Sequence, residues 1–503
     1  MIVFCLFMLI SSIEIGAQTI NIPGGETCRP KIHFSPAKNW VNDPNGMVYH
    51  NGIYHLFFQH HPHSPVWGPM HWGHATSKDL IHWNREPIGI YPDSLGTIFS
   101  GSAVVDQNNS SGFGIDGKAP LVAIFTQHDT VGEKSGRDDF QNQSIAYSND
   151  EGKTWTKYTG NPVVKNPGIR DFRDPKVMWY EPQKKWVMSL ATKDRITFYS
   201  STNLKDWLKE SEFGESAGAH GGVWECPDLF PLQDESGKQH WILIVSINPG
   251  GPNKGSATQY FIGDFDGHHF SSNQTQTRWI DYGPDDYAGV TWTNTGNRKI
   301  FLGWMTNWLY ANKVPTQSFR NAMTLPRDLR LVGTGDELVL ASMPVPELSA
   351  IQSPPVVAKE IQVNGEANLS KITGNPKLPC RYDLVMNEIR DFSLIFANSK
   401  NEELTIGYNE QAKEFYIDRT RSGKTDFSPE FPGRHTAPRM TDKKELKWTL
   451  IVDVSSVELF ADDGLTVMTA TFFPNQLYDQ LRVQAPVATT ISGLECATLK
   501  SIW

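Results

Sequence analysis

The chain has 503 residues, more than one compact core holds and enough for two domains. It carries 46 Lys and Arg against 55 Asp and Glu, a net charge of −9 and a pI near 5.9. With no basic run, that balance argues against a nucleic-acid partner, and no internal segment approaches the roughly 18 apolar residues of a membrane span.

Residues 1–17 read as a secretory signal: Met1–Ile10 is apolar, Ser11-Ser12 follows, and Gly16-Ala17 suits cleavage after Ala17, although a positively charged start is missing. The expectation is export, to the medium, the periplasm or the cell surface. With Cys5 removed, Cys28, Cys226, Cys380 and Cys496 remain, too few for a disulfide framework in a chain of this size. Cys380 and Cys496 are the one candidate pair, and the reduced state is the expected one. Asn109, Asn142, Asn273 and Asn368 head Asn-x-Ser/Thr triplets that matter only in a host that glycosylates exported proteins.

The first distinctive string is Trp40-Val41-Asn42-Asp43-Pro44-Asn45-Gly46. Pro44 pushes Asp43 out of the helical region, and Asn45-Gly46 supplies a turn, so the carboxylate sits on a tight corner. Taken alone, such an acid is more often a turn-former than a catalyst. Arg173-Asp174-Pro175 and Glu225-Cys226-Pro227 repeat the arrangement, an acid at or just before a proline ahead of an apolar run.

The chain also repeats on a larger scale. Ser77–Trp83, Ser148–Trp155 and Ser201–Trp207 are polar turn segments ending on Trp, and Gly263–Phe270 is a weaker copy. Each follows a run rich in β-formers: Ile53–Gln59, Leu121–Thr126, Trp186–Ala191 and Trp241–Ser246, with Ile300–Met305 opening a fifth unit. Copies recur every 50 to 70 residues or so, the length of a four-stranded propeller blade with variable loops, and long helical periodicity is nearly absent. The fold expected is all-β, a five-bladed β-propeller over residues 25–345. First strands of propeller blades line the axis, so Asp43, Asp174 and Glu225, each ahead of a repeat strand, are expected to converge. Trp83, Trp155 and Trp207 recur with the turn and read as structural. Trp67 and Trp308 stand outside it.

Pro344, Pro346, Pro354 and Pro355 break the pattern. Beyond them, Leu404–Tyr408, Lys413–Ile417 and Trp448–Val452 read as strands, and Val457–Phe460, Asp463-Gly464 and Val467–Phe473 as a hairpin. A β-sandwich over residues 356–503, covering one side of the propeller, is the expectation. Accessory glycan binding is a weaker reading of that domain.

These motifs carry a resemblance. The chain is similar to the β-fructofuranosidases of glycoside hydrolase family 32, which include invertases, inulinases and levanases. The matching strings run in order: Trp40–Gly46, Phe57-Phe58-Gln59, Trp72-Gly73-His74-Ala75, Phe99-Ser100-Gly101-Ser102, Phe172-Arg173-Asp174-Pro175, Trp224-Glu225-Cys226-Pro227-Asp228, Gly303–Trp308 and Arg320–Arg327. Val41 stands where many relatives carry Met, and Phe99 where some carry Trp.

The resemblance implies retaining hydrolysis of a fructosyl bond, with Asp43 as nucleophile, Glu225 as acid/base and Asp174 stabilising the oxocarbenium-like transition state. Retention needs the first two carboxyl groups about 5–5.5 Å apart. It further implies that Trp40, Asn42, Gln59, Trp67, Phe99, Ser100 and Trp308 line the sugar pocket; Arg173, counted with the substrate-binding residues, is expected to offset part of the acids' charge and to orient Asp174. The roles require Glu225 protonated while Asp43 is ionised, which Trp224 and Cys226 would favour by desolvating Glu225. A bell-shaped, mildly acidic pH profile follows. No cofactor is implied. His60, His61 and His63 lack the partners of a metal site, and the metal expectation is none.

A fructosyltransferase would use the same acids, and a fructan-binding protein is the non-enzymatic alternative, disfavoured because all three acids are intact. Sucrose, β-2,1-linked inulin and β-2,6-linked levan stay open as substrates, as do endo and exo attack. Trp304-Met305-Thr306-Asn307-Trp308 leans toward polymer-degrading relatives.

Overall fold

A computed structural model describes residues 26–335 and 337–503; the signal expected at residues 1–17 lies outside the described residues. The expected all-β character is what the elements show. From Asn39 to Pro344 the strands form five successive sheets, antiparallel and mostly between sequence neighbours, except that Phe319–Arg320 joins the first sheet in parallel with Asn39 and Trp40. Their first strands are Asn39–His50, Thr97–Val105, Phe172–Tyr180, Val223–Gln233 and Tyr287–Thr291. These five lie against one another in that order, and the fifth packs back against the first.

The repeated turn joins the third and fourth strands of a sheet, and it forms because a short polar side chain bonds the backbone ahead of it. Ser77 Oγ donates to Asp79, whose Oδ1 accepts the amides of Ile81 and His82. Ser148 with Asp150, and Ser201 with Asn203, repeat the motif. In each copy one residue turns left-handed: Leu80, Glu151 and Leu204, at φ 61–64°. The Trp155 and Trp207 indoles close their own turns on Gly152 and Leu204 carbonyls. These tryptophans are structural, as expected.

Every one of the five first strands carries a β-bulge, and at the same level. Pairing slips between Asn42 and Pro44, Ile98 and Gly101, Arg173 and Lys176, Glu225 and Asp228, and Tyr287 and Val290. A bulge leaves residues unpaired and re-aims side chains, and it tolerates a proline because no ladder hydrogen bond is required there. Pro44, Pro175 and Pro227 are the bulge prolines. Asp174 (φ 64°) and Cys226 (φ 45°) accept left-handed backbone to turn inward.

Below the bulges the first strands are tied together. Lys176 Nζ meets Asp228 Oδ2 at 3.1 Å and donates to the Thr291 carbonyl, and Asp228 accepts the Thr291 amide and hydroxyl. Ser102 Oγ donates to the Pro175 carbonyl and accepts the Val177 amide. Thr293 Oγ1 donates to the Ala103 carbonyl.

Residues from Val356 onward build two six-stranded antiparallel sheets around one core, to which Leu384, Leu450 and Leu459 contribute from one sheet and Phe396, Ile406 and Val483 from the other. The expected hairpin is present, Ser456–Ala461 pairing with Thr466–Thr471. Cys28, Cys226, Cys380 and Cys496 are unbonded. Cys380 faces Thr498 across the sheet while Cys496 faces Tyr382, so the candidate pair is out of register.

Where the two parts meet, Phe460 and Val467 join a core with Trp304 and Leu325, and charge is buried beside them. Arg327, fully buried, binds Glu458 at 2.5 Å and Asp281 and Asp286 at 3.0 Å. His33 bridges Asp453 and Glu458 at 2.8 and 2.7 Å. Burial opposes its charge, yet those two hydrogen bonds lift its pKa to about 9. Arg419 pairs with Asp285 at 2.6 Å and with the Tyr310 hydroxyl.

Candidate active site

The bulges bring the three acids to one pocket of about 330 Å³. Asp43 is held by both oxygens. Asn42 Nδ2 donates to Oδ1 at 2.8 Å and Ser100 Oγ to Oδ2 at 2.7 Å. Asn42 is itself fixed by the Trp40 indole, which donates to its Oδ1 at 2.7 Å. Asp174 Oδ2 accepts the Cys226 amide at 3.0 Å, and Oδ1 takes no hydrogen bond from the described residues. The Cys226 thiol lies between the two aspartates, 3.8 Å from Asp43 and 3.6 Å from Asp174; burial and the surrounding acids push its pKa far up, so it stays neutral.

Glu225 is gripped at both oxygens. Arg173 Nε and Nη2 reach Oε1 at 3.0 Å, and the Tyr287 hydroxyl donates to Oε2. The guanidinium is aimed by Asp171 at 2.7 Å and Gln141 at 3.3 Å. Arg173 therefore orients Glu225, while Asp174, which it was expected to orient, is held instead by the Cys226 amide and feels only the charge of Arg173. The packing corrects the expected desolvation of Glu225 by Trp224 and Cys226. Trp224 is buried on the far side, donating to the Ala219 carbonyl and packing near His220 and Phe261, and Cys226 serves the aspartates.

Of the residues expected at the sugar site, Asn42, Gln59, Trp67, Phe99, Ser100, Arg173 and Trp308 line the pocket with the acids. Trp40 does not. It is fully buried, stacked behind Trp308 at 5.9 Å, and works on the site through Asn42. Sequence reasoning missed Tyr287, Gln141, Asp171 and His128, which stacks on Phe99 at 4.3 Å. Only Tyr287 left a signal, its place on the fifth first strand. His60 binds the Trp40 carbonyl, and no group of three or more His, Cys, Asp or Glu among the described residues is placed to hold a metal ion.

Burial, then the charge of Glu225, raises the Asp43 pKa to about 6. Burial also pushes Asp174 upward, with Arg173 pulling the other way. In the nucleophile role that the resemblance implies, Asp43 must be ionised, so that role predicts a fall in kcat/KM as pH drops through about 6, read from a pH–rate profile. A profile flat from about pH 4 to about pH 9 would remove Asp43 from that role.

Residues 33–342 match the glycosyl hydrolases family 32 N-terminal domain, and residues 347–498 its C-terminal domain. The chain belongs to glycosyl hydrolases family 32. It is accordingly a glycoside hydrolase. It is 44% identical over 490 residues to a levanase of Bacillus subtilis (strain 168), covering 95% of this chain and 71% of that protein. It is 39% identical to an extracellular exo-inulinase of Aspergillus awamori, covering 92% of each. The crystal structure of exo-inulinase from Aspergillus awamori superposes with a TM-score of 0.86 at 37% identity, over 94% of this chain and 99% of that one. A family 32 chain is thus expected to present its bulge acids to a glycoside, and no helix among the described residues is long and apolar enough to cross a membrane.

Proposed function

We propose that this protein is an exported, retaining exo-fructosidase that releases fructose from β-fructosides such as levan, inulin and sucrose. The observation that carries the reading is the pairing of a doubly anchored Asp43 with a Glu225 held at both oxygens, in a pocket walled by Trp67, Phe99 and Trp308. The roles are the ones the family resemblance implies. Asp43 attacks the anomeric carbon as the glycosidic C–O bond breaks, and Glu225 gives its proton to the departing oxygen. In the second step Glu225 takes a proton from water, whose oxygen displaces Asp43 and regenerates the free acid. Asp174 offers Oδ1 to sugar hydroxyls, a contact that accelerates reaction only as far as it tightens in the transition state. Asn42, Gln59 and Ser100 supply polar contacts, and Trp40 holds Asn42.

The relatives named above support fructosides as substrates, and a pocket near the small end of the roughly 300–1,000 Å³ range favours a terminal sugar unit over an internal stretch. We read residues 25–345 as a closed five-bladed propeller, supported by the return of the fifth first strand to the first, and residues 356–503 as a β-sandwich. The test is product chromatography on sucrose, inulin and levan beside Asp43→Ala. Fructose alone, absent with the variant, is the expected result. A ladder of oligosaccharides would mean endo attack, lengthened chains at high sucrose a transferase, and retention on fructan without any product a binding protein.

A further inference from the structure

The pocket wall continues outward as a line of rings, half-buried at His61 and His71 and exposed at His63, Trp67 and Tyr91. Gln59 and Met70 line the pocket, and His61 and His71 follow them on the second and third strands of the first sheet. From there His61 and His63 meet edge to face at 6.3 Å, His63 and His71 at 6.2 Å, and His71 and Tyr91 at 5.7 Å. Trp67, 42% exposed at the pocket mouth, joins this line through Gly68. A side chain at 68 would come within 2.6 Å of the His61 ring, so glycine lets the loop lie flat on it. Tyr91, at the far end, is 55% exposed.

The segment is fixed before any ligand arrives. Pro62, Pro65 and Pro69 restrict its backbone, and its polar groups are tied down. Asn39 Nδ2 donates to the Pro62 carbonyl, the Trp40 amide to the Ser64 carbonyl, and the Trp67 amide to Asn312 Oδ1. The His61 ring bonds the Val66 carbonyl at 2.9 Å. Rigid rings with polar edges suit neutral sugars, whose units offer apolar faces and hydroxyls together.

We propose that Trp67, His61, His63, His71 and Tyr91 form a ramp that carries the uncleaved part of a neutral β-fructan chain whose terminal unit occupies the pocket. The inference rests on the exo-fructosidase reading. It adds that polymers are held beyond the pocket, which sucrose is too short to reach. Its continuity with the pocket wall at Gln59 and Met70 selects the substrate chain as the occupant over a second copy of the protein.

The test is the double variant His63→Ala/Tyr91→Ala, with Tyr91→Trp as the ring-keeping control. Binding is read by affinity electrophoresis in gels cast with levan or inulin, and turnover as KM on each polymer against kcat/KM on sucrose. Two lost ring contacts are expected to weaken retention and raise the polymer KM about 3- to 10-fold. Sucrose turnover should stay within about 2-fold, and Tyr91→Trp should keep polymer binding. Unchanged retention in both gels, or equal losses on polymer and sucrose, overturns the ramp. So does a dimer, seen by sedimentation, that the double variant dissolves, since the face would then serve a second copy. A wild-type protein that cleaves nothing refutes the exo-fructosidase reading instead, while the gels still judge the ramp.

Discussion

Asp43→Asn is expected to lower kcat on sucrose by at least about 10⁴-fold while making the protein more stable at neutral pH. The loss follows from the proposed role, since an amide in place of the attacking carboxylate cannot form the covalent intermediate. The gain follows from the raised pKa, about 6 in the folded chain against 3.8 for the ordinary group. Folding binds a proton more tightly here, so Asp43 favours the folded state below about pH 4, and that contribution disappears as pH rises through about 6. Above that pH the buried anion costs the fold up to about 3 kcal/mol, which asparagine removes. The measurement is a pair of denaturation curves, at pH 7 and pH 4. The variant should gain on the wild type at pH 7 and lose that advantage at pH 4. Substantial residual turnover, checked for contaminating wild-type enzyme, would displace Asp43 from its proposed role.

Arg327→Met should cost about 3–5 kcal/mol of stability, because it strips the shared cation from Asp281, Asp286 and Glu458 in full burial. Methionine keeps most of the volume, so the loss reports charge more than a cavity. Without their partner the buried carboxylates are costly as anions, and that cost is relieved where low pH protonates them. The gap to the wild type should therefore narrow toward about pH 5, as read from urea midpoints across pH. A gap that is small or constant with pH would mean that the three acids do not depend on Arg327.

The contrast between these two sites explains how much the chain discloses before it folds. Asp43, Asp174 and Glu225 are legible because a bulge that aims an acid inward also welcomes a proline, and the pair leaves a local mark three times. Tyr287 sits at the same level of the fifth first strand, but its bulge is Ala288-Gly289, which carries no such mark. Gln141 and Asp171 matter through Arg173, and Glu458 through an arginine 131 positions away, so no local pattern announces them. Trp40 shows a different limit. A tryptophan beside an active-site asparagine reads the same whether it faces the sugar or braces the residue that does, and only packing distinguishes the two. The sheets and turns were legible for the opposite reason, being written in short-range chemistry: Ser-x-Asp or Ser-x-Asn turns and runs of β-formers.

The unbridged cysteines carry a practical consequence. Among the described residues no disulfide has to form, so their packing does not depend on an oxidant or a disulfide isomerase. The same sequence is suited to production in a reducing cytosol and to handling with dithiothreitol. Its resistance to a changing redox environment comes from what the fold leaves out.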